Sequence, residues 1–126
     1  MVWNFKEDRP IYSQLIEHIE MAIISGEFTP GSKMPSVREL AAEAGVNPNT
    51  MQRALTELEQ NNLLYTQRTA GRYVTEDVEI ITTAKKTIAL RQIKDFLFAM
   101  NRLGFNEKEA LKEAIDTINN SEQREG

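Results

Sequence analysis

Apolar residues in the first part of the chain recur at helical spacing: Tyr12, Leu15, Ile16, Ile19 and Ile23 stand at i, i+3, i+4, i+7 and i+11. They form one face of a helix over 10–25, which Gly26 stops. The following stretch, from Phe28 to Pro35, is dense in breakers and reads as a loop. Ser36-Val37-Arg38-Glu39 is a capping box, in which the Ser36 hydroxyl satisfies a free N–H of the first turn and Glu39 reaches back. The helix it opens carries Leu40, Ala41 and Ala44 and closes at Gly45. Asn47-Pro48 then starts a third helix, with an amide cap and a Pro at the position where a missing N–H is harmless. Met51, Ala54, Leu55 and Leu58 are its apolar stripe, and Asn62 suits a left-handed stop just after residue 60 or 61.

Two β-prone runs, 63–68 and 72–75, flank Thr69-Ala70-Gly71 and predict a small hairpin. The pattern changes after Glu76. No Pro or Gly occurs from Asp77 to Leu103, and Ile81, Ala84, Ile88, Ala89, Ile93, Phe96, Met100 and Leu103 follow at steps of threes and fours or adjoin. That spacing predicts one long amphipathic helix or two nearly collinear ones. Gly104-Phe105 interrupts it, and Asn106-Glu107-Lys108-Glu109 is a second capping box before Leu111, Ala114, Ile115 and Ile118. The polar stretch 121–126 is expected to be a flexible tail. The outline is mainly α with a small β-hairpin wing: an N-terminal winged helix-turn-helix over 6–75, then two helices over 77–120.

Composition narrows the chemistry. The chain has 126 residues, no Cys and one His. Disulfides, thiolate metal sites and a cysteine nucleophile are excluded, and a multi-histidine metal site is impossible. An enzyme would have to rely on His18, which lies about 240° around the first helix from Tyr12, outside the apolar stripe. No catalytic residue, metal site or cofactor is assigned. The longest apolar run, Phe96 to Met100, is far short of the ~20 residues that span a bilayer. The first residues lack the charge order of a signal peptide, so a cytoplasmic protein without a membrane partner is expected.

The third helix carries the most specific signal. With Met51 at 0°, its core residues fall within about 60°, while Asn49, Gln52, Arg53 and Thr56 fall between about 100° and 200°. Asn and Gln pair bidentately with adenine and Arg with guanine, so these side chains suit base edges. Asn47, Asn49 and Thr50 crowd the first turn, where free N–H groups favour a phosphate. No acid occurs from Gly45 to Thr56 or from Asn61 to Thr75, although the whole chain has net charge −4. An ordinary solvated face would use Glu and Lys, which are better helix formers. Arg38, in the first turn of the second helix, is a phosphate candidate or else an intrahelical partner of Glu39 or Glu43. Lys33 is a phosphate candidate in the loop. Arg68, Thr69, Gly71 and Arg72 form the wing, which either reaches DNA or simply protects a sheet edge.

Several stretches then match a known family: Pro10-Ile11-Tyr12-Ser13-Gln14-Leu15, Ile23-Ile24-Ser25-Gly26, Pro30 through Ala41, Gly45 through Ala54, Leu58-Glu59 and Gly71-Arg72-Tyr73-Val74. Over about 10–75 the chain resembles the GntR family of bacterial transcription regulators, and its short helical tail resembles the YtrA-type subgroup. The resemblance implies a dimer that binds double-stranded operator DNA, usually as a repressor. It implies phosphate contacts at Ser36 and Arg38, and recognition-helix contacts at Asn47, Asn49, Thr50, Gln52 and Arg53. Gln52 stands where several members have Arg, and Thr69 where the wing usually has Gly.

The tail helices offer Ile88, Ile93, Phe96, Leu97, Met100 and Leu103, more apolar surface than one short helix covers. A two-fold homodimer would bury it, and the operator would then be pseudo-palindromic. Packing back onto the winged helix is the other option. An effector ligand is not legible in the sequence. The competing functional class is a winged-helix module that docks a protein, though exposed aromatics would then be expected on the third helix.

Overall fold

The computed structural model describes residues 1–125, with side chains through Glu122. Met1–Lys85 form one compact unit and the chain from Lys86 a second. The first unit contains α1 (Ile11–Ile24), α2 (Val37–Ala44), α3 (Pro48–Gln60), β1 (Leu64–Gln67), β2 (Gly71–Val74) and the first two turns of α4 (Val78–Arg102). Its core joins Leu15, Ile19 and Ile23 of α1 to Leu40 of α2 and to Met51, Ala54, Leu55 and Leu58 of α3. Leu63, Leu64 and Val74 from the hairpin region complete it. Ile80, Ile81 and Ala84 pack against that cluster, so the unit extends past the predicted end at residue 75.

The predicted caps form. Ser36 Oγ accepts from the Glu39 N–H at 3.1 Å, and Gly45 ends α2 at φ +70°. Asn47 Oδ1 accepts from the Asn49 N–H at 2.7 Å and opens α3, and Asn62 takes the left-handed conformation after it, at φ +64°. β1 and β2 pair antiparallel from Leu64↔Val74 to Gln67↔Gly71. The hairpin loop is therefore Arg68-Thr69-Ala70, and the residue that needs positive φ is Gly71, at +101°. Thr69 takes no positive φ, so it needs no glycine there.

Two features of this unit lie outside the sequence reading. The breaker-rich loop pairs with the wing: Gly31 N–H donates to Val74 O, Val74 N–H to Ser32 O and Met34 N–H to Arg72 O, at 2.8–2.9 Å. Residues before position 6 also join the unit. Trp3 and Phe5 pack against the core, and the buried Gln14 amide donates to Lys6 O and Arg9 O while its carbonyl accepts from Lys6 N–H.

In the second unit, α4 continues unbroken to Arg102, and α5 (Glu107–Glu125) follows Gly104. The second capping box forms reciprocally: Asn106 Oδ1 accepts from Glu109 N–H, and Glu109 Oε1 accepts from Asn106 N–H. α5 runs on through the polar stretch from residue 121 to Glu125; Gly126 lies outside the described residues. The Glu, Gln and Arg of that stretch are good helix formers.

Core burial makes a definite expectation. Leu55 is 1% exposed, within the core cluster that α1, α2, α3 and the hairpin region share. Leu55→Ala should lower the unfolding free energy in urea by about 2–5 kcal/mol. Thr56→Ala, one residue on and exposed, should change it by less than about 0.5 kcal/mol.

Candidate nucleic-acid interface

Burying Met51, Ala54, Leu55 and Leu58 turns the opposite side of α3 outward, and Asn49, Gln52, Arg53 and Thr56 are all exposed on it. Not all of their polar atoms are available. Thr56 Oγ1 donates back to Gln52 O at 2.9 Å, and Asn47 Oδ1 is occupied by its cap, which leaves the Asn47 amide N–H₂ as a donor. Thr50 is half-buried on the first turn. Asn49 and Gln52 present complete amides to solvent, the group that reads adenine. Arg53 lies over the Tyr12 ring of α1, with its guanidinium carbon 4.6 Å from the ring centroid.

Arg38 is exposed on α2, and among the described residues it forms no ion pair with Glu39 or Glu43. Its guanidinium is thus open for an anion. Ser36 is committed to its cap, giving its proton to Glu39 Oε1 and accepting from the Glu39 N–H. A phosphate there would compete with the box.

The pairing of the pre-helix loop with β2 brings Lys33 against the wing. An isolated bridge joins Lys33 to Tyr73, and the Lys33 side chain passes 3.5 Å from where a Cβ on Gly71 would be. Lys33, Ser36, Thr66 and Arg72, with Glu39, line a cleft of about 670 Å³ between the α2 N-terminus and the hairpin. Arg68 and Thr69 are exposed at the wing tip. Arg72, by contrast, is largely covered, and its Nε pairs with Glu59 of α3.

Two carboxylates of α3 that follow the acid-free face are thereby engaged. Glu57 accepts a hydrogen bond from the Tyr12 hydroxyl, and Glu59 pairs with Arg72. Sequence reasoning missed both partners, because each joins residues tens of positions apart or crosses from helix to strand. His18 is likewise occupied. Its Nε2 accepts from Asn4 N–H at 3.3 Å, which places the ring proton on Nδ1, 2.7 Å from Gln14 O, and the ring stacks on Trp3. It fastens the N-terminal arm to α1.

Three helices, a short turn between the second and third, and a two-stranded hairpin define a winged helix-turn-helix. The family model described as "Bacterial regulatory proteins, gntR family" matches residues 11–74. The HTH-type transcriptional repressor YtrA of Bacillus subtilis is 35% identical over 114 residues, covering 90% of this chain and 87% of its own length. The structure of a GntR family transcriptional regulator from Listeria monocytogenes superposes with a TM-score of 0.82 at 38% identity, covering 89% of this chain and 98% of that one. A DNA-binding domain of AraR, solved with operator ORX1, matches 60% of this chain and 92% of its own at 30% identity, with a TM-score of 0.51. The chain belongs to the GntR family and is a DNA-binding transcription regulator of the short, YtrA-like kind.

The cap on α2 is open to a direct check. Ser36→Ala should cost about 1 kcal/mol of stability and Ser36→Gly only a few tenths, read by thermal unfolding of the two variants side by side.

Proposed function

We propose that the protein is a cytoplasmic repressor that binds a pseudo-palindromic operator as a homodimer, with α3 in the major groove. The observation that carries this reading is the exposed, acid-free face of α3, with two free side-chain amides and an arginine projecting from a helix anchored by its opposite side. Asn49, Gln52 and Arg53 read base edges. Asn47 contributes the donor its cap leaves over. Arg38 and Lys33 contact phosphate, with Ser36 and Thr50 beside them at the two helix N-termini. Arg68 and Thr69, at the turn that Gly71 permits, meet the backbone or the minor groove, and Arg72 supports the wing through Glu59. The operator complex of AraR and the repressor name of YtrA are consistent with this reading.

The homodimer rests on the second unit. Ile93, Phe98, Leu103, Leu111 and Ile118 are each more than half exposed, and Phe96 is 40% exposed. Of these, Ile93, Phe96 and Leu103 share one side of α4 with the half-buried Leu97 and Met100, and that stripe is the surface a second copy of the chain would cover. Two winged helices related by a two-fold would then meet half-sites about one helical turn apart.

Selection of random duplexes by the full chain tests the reading: a pseudo-palindrome should be enriched, and recovery of unrelated sequences at low salt would contradict it. On the enriched duplex, Arg53→Ala should lose about 1–3 kcal/mol and relax the preference at one base pair. Arg38→Ala should weaken every duplex nearly equally, and a changed base preference would contradict its phosphate role. Ile93→Asp combined with Phe96→Asp should halve the mass seen by sedimentation while circular dichroism keeps its helical signal; an unchanged mass would remove this stripe from the dimer contact.

A further inference from the structure

Arg53, Tyr12 and Glu57 form a connected group at the edge of the proposed reading face. The Arg53 guanidinium lies over the Tyr12 ring, and the Tyr12 hydroxyl donates a hydrogen bond to Glu57. Gln52 and Thr56 line the same shallow groove, of about 240 Å³. Glu57 stands four residues after Arg53 on α3, the spacing at which a carboxylate and a guanidinium pair along a helix. That pair is absent among the described residues; Arg53 makes no ion pair or hydrogen bond to protein there. The Tyr12 hydroxyl engages the carboxylate, and its ring lies against the guanidinium.

We propose that Tyr12, on the first helix and outside the helix-turn-helix reading surface, is a positioning residue that determines base discrimination by Arg53. Contact with the ring restricts where the Arg53 guanidinium sits, and so where its fork of N–H donors points. A bidentate contact to guanine O6 and N7 requires that fork geometry. The contact also limits the side chain's rotamers before DNA arrives, so less freedom is lost on binding. Glu57, held by the hydroxyl, is withdrawn from competition with the base. This inference rests on the reading of Arg53 as a base contact.

The test measures, for the full chain, the ratio of affinities for the enriched duplex and its single-base-pair variants. Tyr12→Leu should shrink the discrimination about 3- to 10-fold at the one base pair that Arg53→Ala relaxes, and little elsewhere. In the Arg53→Ala background, Tyr12→Leu should change discrimination no further, since the group it positions is gone. Equal weakening of all duplexes by Tyr12→Leu, or an effect that adds to that of Arg53→Ala, would overturn the proposal and leave Tyr12 as a tie between helices. Should Tyr12→Leu fail to fold, Tyr12→Phe decides. It keeps the ring but frees Glu57, so discrimination should fall and adding Glu57→Gln should restore it; full discrimination in Tyr12→Phe alone would overturn the proposal. If Arg53→Ala leaves base preference intact, the Arg53 reading fails and this inference with it. If Arg53→Ala relaxes preference and Tyr12→Leu does not, this inference alone fails.

Discussion

Burial of four side chains along one side of α3 is the constraint from which the interface follows. Met51, Ala54, Leu55 and Leu58 are each at most 1% exposed, wedged among side chains from α1, α2 and the hairpin region. Each large apolar side chain removed from water contributes about 1.5–3 kcal/mol, so rotating the helix would forfeit most of the unit's core. The opposite face has no freedom to choose its direction. Asn49, Gln52 and Arg53 project outward because the stripe behind them is pinned, and this rigidity is what a reading helix needs. The wing is set by the same packing. Val74 and Leu64 enter the core, and the loop carrying Lys33 hydrogen-bonds along β2.

An acidic chain that binds DNA has to manage its own carboxylates. Surface fields decay over a Debye length of about 8–10 Å at ordinary ionic strength, so the arrangement of charge near the interface outweighs the total of −4. Two devices act together here. Acids are absent from Gly45–Thr56 and Asn61–Thr75, and the two that lie between these windows are engaged by Tyr12 and Arg72. A protein built this way gains little from non-specific attraction to phosphates, which is why the proposed function rests on base contacts and on the pairing of two copies.

Much of this was legible from residues alone, because it rests on local rules. The capping boxes at Ser36 and Asn106, the Asn47-Pro48 start, the left-handed Asn62 and the stripe of α3 each have a short-range cause. All appear where the pattern puts them. The face of α3 was legible for the same reason, since a 3.6-residue period fixes which side chains are opposite the core. What escaped was long-range. Main-chain pairing of Gly31, Ser32 and Met34 with β2 leaves no side-chain signature in a stretch full of breakers. The arm held by Gln14 and His18 depends on bonds between residues 8 and 14 positions apart. Arg72, which reads from sequence as a wing residue, also pairs with Glu59 of α3, a strand-to-helix contact that no local pattern announces.

The central claim is that two copies of α3 read base edges in the major groove at two-fold related half-sites. Dimethyl sulfate protection reports it most directly, since it methylates guanine N7 on the major-groove edge of the pair. With the full chain bound to its enriched duplex, the account predicts two symmetric sets of protected guanines about one helical turn apart. Uniform reactivity at N7 along a duplex that the protein occupies, or a single protected patch without a symmetric mate, would contradict it.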